Sequence, residues 1–188
     1  IDFYVGNNGN NTAWFNDGSG NFTNVWNDGN SYVTIDVALA DLDGNGILDV
    51  IEANQSYAIT ARANTGNGSF NIYDDYAMAS NDFSGISVGD IDGDGDFDAY
   101  ITKDSAADHH LLFINDGKAS FTLKDSPSPI SNSYTSAMGD IDLDGDIDII
   151  EGTDSGLTFL KNDGSGNFSV KSLPLSSVNN IKPGVLIK

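Results

Sequence analysis

Gly139-DIDLDGDID-Ile149 occurs three times in this chain with only small changes. It stands also as Ala40-DLDGNGILD-Val50 and Gly89-DIDGDGDFD-Ala99, so the loops start at Asp41, Asp90 and Asp140 with spacings of 49 and 50 residues. A fixed period of that size marks a repeat architecture. A second phrase alternates with the first: FNDGSGNF at Phe15 to Phe22, NTGNGSF at Asn64 to Phe70, INDGKASF at Ile114 to Phe121 and KNDGSGNF at Lys161 to Phe168. Its closing phenylalanines are 48, 51 and 47 residues apart, so both phrases share one repeat.

Between the phrases, stretches such as Tyr32-VTIDVALA, Leu111-LFI and Phe121-TL alternate with period two, as strands do. Each repeat then reads as strand, Asp-rich turn, strand, loop, strand, Asn-Asp-Gly turn, strand. Four strands in about fifty residues is the format of a β-propeller blade, and the expected fold is all-β, about four antiparallel blades over a single domain or segment spanning 1–188. The strand before each Asp loop carries small residues: Ala38 and Ala40, Ser87 and Gly89, Ala137 and Gly139. Innermost strands crowd a central axis, so that is where they belong. The Asn-Asp-Gly turns supply the positive φ of tight hairpins and are assigned no chemistry.

The acids divide into 26 Asp and only Glu52 and Glu151, against 8 basic residues. Asp favours turns and metal loops, whereas Glu favours helices, so the carboxylates sit at bends. A net charge of −20 excludes nucleic acid and anionic membrane as partners. No apolar run approaches the roughly 18 residues of a membrane span, so no membrane insertion is expected. The absence of cysteine removes disulfides and fits an extracellular or cell-surface protein held by metal instead.

Thirteen of the acids fall in the three loops. Positions 1, 3, 5 and 9 supply side-chain oxygens, and position 7 a backbone carbonyl. The predicted ligands are Asp41, Asp43, Asn45 and Asp49 with the Ile47 carbonyl; Asp90, Asp92, Asp94 and Asp98 with the Asp96 carbonyl; and Asp140, Asp142, Asp144 and Asp148 with the Asp146 carbonyl. Hard oxygen donors without His or Cys select calcium, at about three sites, over zinc or copper. Asp140 to Glu151 also satisfies the EF-hand rule, with Glu52 at the same twelfth position of the first loop. EF-hands need flanking amphipathic helices, however, and these flanks alternate with period two.

These loops, with YVGNNGNNTAWFNDGSGNF, resemble FG-GAP/VCBS repeats, the blades of integrin α-subunit heads and of many bacterial surface proteins. The resemblance implies a propeller, often of seven blades, with calcium between the inner strands of a blade. It also implies an extracellular adhesion or carbohydrate- or protein-binding module, the alternative being a propeller domain of a secreted polysaccharide lyase or hydrolase. Asn45 in place of a carboxylate and Leu143 in place of the glycine at position 4 depart from the family pattern. No catalytic set is visible, and an enzyme is the less favoured reading. His109 and His110 are expected as an exposed pair. Trp14, Trp26, Tyr57 and Tyr73 are candidates for sugar stacking, with packing between blades as the plainer role. Asp2 matches the ninth loop position, and Gly184-VLIK offers an innermost strand for the first blade, within one chain or between chains of a homo-oligomer; in a piece of a longer propeller it would pair with neither.

Overall fold

Fifteen strands and no helix make up the residues that the computed structural model describes, which are 2–174 without 56–57, 78–81, 106–107, 125, 127 and 129–131. The first sheet joins β1 (Phe3–Val5), β2 (Thr12–Asn16) and β3 (Phe22–Asn27). The second joins β4 (Val33–Ala40), β5 (Asp49–Gln55), β6 (Ala58–Asn64) and β7 (Phe70–Ala77). The third comprises β8 (Phe83–Gly89), β9 (Asp98–Lys103), β10 (Leu111–Asn115) and β11 (Phe121–Lys124), and the fourth β12 (Ser133–Gly139), β13 (Asp148–Thr153), β14 (Gly156–Asn162) and β15 (Phe168–Pro174). Every pairing is antiparallel between consecutive strands, so each sheet is a meander, and in the second, third and fourth sheets the Asp loop is its first turn. This is the blade order expected from the repeat.

The strands before the Asp loops are indeed innermost, since β8 packs against both β4 and β12. Each carries a bulge at the same repeat position, where pairing shifts between Thr34 and Asp36, Phe83 and Gly85, and Ser133 and Thr135. A bulge adds local bend and twist, and its recurrence keeps the three strands congruent around the axis. Middle strands are covered on both faces by neighbouring sheets, so β5 and β9 are buried almost throughout. The cores lie between blades: Ile51, Ile59, Ile101 and Phe113 join the second to the third, and Ile91, Tyr100, Leu112, Ile149 and Leu160 join the third to the fourth. Each fully buried Ile or Leu contributes about 2 kcal/mol.

Asp2 matches the ninth loop position in its contacts, because Asp2 Oδ1 accepts the Asn16 N–H as Asp49 Oδ1 accepts that of Asn64. The proposed strand at Gly184 to Lys188 lies outside the described residues, as does Tyr57. The histidine expectation needs correction. His109 is exposed, but His110 is fully buried, its Nδ1 accepting the Lys103 N–H and its Nε2 lying 3.5 Å from Glu151 Oε1. The chain doubles back from β9 to β10 there, which turns the second histidine into the interface with the fourth blade.

Both glutamates are buried at joints between blades, and neither belongs to a helix. Glu52 Oε1 accepts the Tyr4 hydroxyl, the Asn11 amide at 2.9 Å and Arg62 Nε at 2.9 Å. Glu151 accepts the Tyr100 hydroxyl at 2.6 Å and the Ser128 hydroxyl at 2.7 Å. Trp26 packs against Tyr4 and Phe70 with Arg62 over its ring, so it serves the first joint rather than an open face. Trp14 stacks on Phe3 of the same sheet.

Candidate metal centres

Two adjacent strands, such as β4 and β5, enter and leave each Asp loop, and hydrogen bonds from backbone to carboxylate fold it. In the first loop Asp41 accepts the N–H groups of Asn45 at 3.0 Å and Gly46 at 2.8 Å. In the second, Asp90 accepts those of Gly93 at 2.8 Å and Gly95 at 3.0 Å. The residue at position 4 takes a left-handed conformation in all three: Gly44 at φ 72°, Gly93 at 78° and Leu143 at 66°. Leu143 therefore holds a strained backbone with its side chain in solvent.

The ninth position is the anchor of the loop. Asp49, Asp98 and Asp148 are fully buried, and each accepts two backbone N–H groups, one from position 2 and one from the turn asparagine of the next hairpin. Those asparagines, Asn64, Asn115 and Asn162, were assigned no chemistry from sequence. They brace the loops. The Asn115 amide donates to Leu42 O in the loop of the preceding blade at 2.8 Å, and Asn162 donates likewise to Ile91 O at 2.6 Å. Their in-phase recurrence two residues before each turn glycine was the available signal. The glycines are needed as well: a Cβ at Gly117 or Gly164 would collide with the carboxylate of Asp96 or Asp146, and both have positive φ.

Three acid groups converge with oxygens within 4.8 Å of one another: Asp41, Asp43 and Asp49; Asp90, Asp92 and Asp94; Asp140, Asp142 and Asp148. The other predicted side-chain positions have contacts of their own. Asn45 Oδ1 accepts the Ile47 N–H at 2.8 Å, Asp98 holds its two backbone donors, and Asp144 takes an ammonium from Lys161 at 2.7 Å. Burial pushes the Asp98 carboxyl up to about 6 and raises Asp92, the latter also through the neighbouring charge of Asp94. The Tyr73 hydroxyl on Asp43 holds that carboxyl below the usual range. Asp92 Oδ1 and Asp140 Oδ1 are buried without a hydrogen-bond partner. All-oxygen donors, mutual repulsion and orphaned carboxylate oxygens together fit a hard divalent cation.

A meander of blades around small inner strands, three of them with an acidic loop at the first turn, defines a β-propeller with candidate metal loops. The chain belongs to the FG-GAP-like repeat family, whose model matches residues 1–52 and 41–101. Among solved structures it is similar to a lectin from Agrocybe aegerita, described as recognising non-reducing terminal N-acetylglucosamine, at 21% identity and a TM-score of 0.63. That likeness covers 92% of this chain and 48% of the lectin, so the chain spans about half its length and shares its fold. No curated protein matches the sequence. Among the described residues no helix is long and apolar enough to cross a membrane.

Proposed function

We propose that the chain is a calcium-stabilised propeller module of an extracellular or cell-surface protein, and that it binds carbohydrate. The recurrence in three successive blades of an acid cluster built on loop positions 1 and 3, joined by position 9 or 5, carries the calcium reading. Calcium in each loop would join the two inner strands of a blade and neutralise carboxylates that otherwise repel. The ligands would be Asp41, Asp43, Asn45 and Asp49 in the first loop, Asp90, Asp92, Asp94 and Asp98 in the second, and Asp140, Asp142, Asp144 and Asp148 in the third. The carbonyls of Ile47, Asp96 and Asp146 would complete the three sets.

The carbohydrate reading is supported by the family and by the lectin of like fold. The test is an array of immobilised glycans that includes terminal N-acetylglucosamine, probed in calcium and again in EDTA. Retention on a defined set of glycans in calcium, weakened by EDTA as the fold loosens, is the expected result. If no glycan retains the protein in calcium, the carbohydrate reading is overturned.

A further inference from the structure

Lys161 stands one residue before the turn asparagine of β14, where the other three repeats carry Phe15, Ala63 and Ile114. Its ammonium donates to Asp142 Oδ2 and, at 2.7 Å, to Asp144 Oδ2. Loop positions 3 and 5 thus share a cation that belongs to the chain itself. Among the described residues no ion pair reaches the acids of the first or second loop, where Tyr73 on Asp43 is a neutral contact. Lys161 fills only part of its loop, since Asp140 Oδ1 at position 1 stays buried and unpartnered.

Charge count then ranks the loops. Positions 1, 3, 5 and 9 carry four carboxylates in the second loop and three in the first, where Asn45 intervenes. The third carries four, less the charge of Lys161. Ligand charge is what tunes calcium affinity in oxygen-donor loops.

We propose that Lys161 is a tethered counter-ion of the third loop, which holds that loop together without metal and sets its calcium affinity below that of the second. This rests on the calcium reading above. A bound calcium ion displaces the ammonium from Asp142 and Asp144, so the lysine and the metal compete for the same oxygens.

The test is calorimetric titration of chelator-treated protein with calcium chloride, comparing wild type with Lys161→Met and Lys161→Arg. In Lys161→Met one site tightens by about tenfold while the others stay put, and Lys161→Arg keeps the wild-type isotherm. In EDTA the Met variant melts below wild type, because its four carboxylates have lost their internal cation, and saturating calcium closes the gap. If calcium binds but the Met isotherm is unchanged, or Arg behaves like Met, the proposal is overturned while the calcium reading stands. If neither protein takes up calcium, the calcium reading itself fails.

Discussion

The joint between the first and second blades and the joint between the third and fourth use the same pair, a tyrosine beside a buried glutamate, in different electrostatic company. Tyr4 and Tyr100 stand two residues after the ninth-position acids Asp2 and Asp98, and Glu52 and Glu151 stand three after Asp49 and Asp148. At the first joint Arg62 ion-pairs with Glu52 at 2.9 Å and lies 3.5 Å from Asp28. At the other, Glu151 faces the neutral His110, and burial raises its carboxyl above the ordinary range. The joint between them is apolar, with Ile51 and Ile101 at the positions of Tyr and Glu and both in one buried cluster. A repeat scaffold can therefore change the chemistry of a joint without changing its geometry, provided that both sides change together.

The largest effect should come from breaking the charged joint. Arg62→Ala leaves Glu52 buried without its cation, and urea unfolding should show a loss of about 3–5 kcal/mol. At the other joint Tyr100→Phe removes one donor from Glu151 and should cost about 1–3 kcal/mol. The double variant Tyr100→Ile with Glu151→Ile copies the apolar joint and should recover most of that loss, because well-packed apolar residues often replace buried polar pairs without penalty. A double variant no more stable than Tyr100→Phe would show that the joints are not interchangeable.

Acid separates the joints further. Burial, then the charges of Lys103 and His109, lower His110 from 6.5 to about 4. A depressed histidine contributes stability that is present above pH 6.5 and is lost as pH falls through about 4, a loss of up to about 3 kcal/mol. Glu151 acts in the opposite sense: its raised carboxyl favours the fold below the ordinary Glu pKa of 4.5, and that contribution disappears as pH rises through the shifted value. In saturating calcium, His110→Gln should flatten the stability profile between pH 6.5 and 4 relative to wild type. Parallel profiles would count against a buried, neutral His110.

The smallest effect concerns the loops. Leu143→Gly relieves a left-handed leucine and should stabilise the protein by about 1 kcal/mol, read as a rise in Tm. Gly93→Ala, at the same position of the second loop, should move Tm the other way.

Much of this architecture was legible in the chain. The three Asp phrases and the four turn phrases share one period, and strand alternation falls between them, so blade order, inner strands and acid clusters all follow from spacing. Less legible were contacts whose partners lie a whole repeat away. Glu52 and Glu151 read as the twelfth residue of an EF-hand-like loop, yet each is held by a tyrosine 48 or 51 positions earlier. The clue was pairwise: glutamate occurs only where the preceding repeat offers tyrosine, and isoleucine where it offers isoleucine. His110 was misplaced for the same reason, because its burial depends on the next blade. The turn asparagines looked purely conformational, since their side-chain acceptors Leu42 O and Ile91 O belong to backbone that carries no residue signature.

The central claim is that acid loops repeated in phase hold calcium and that calcium holds the blades. Thermal melting of the chelator-treated protein, followed by stepwise addition of calcium chloride, tests it most directly. A ligand that binds only the native state raises stability by about 2.7 kcal/mol at a hundred times its Kd. Tm should therefore climb by several degrees with calcium concentration and fall again on addition of EDTA. A melting curve that is the same in EDTA and in millimolar calcium would contradict the account.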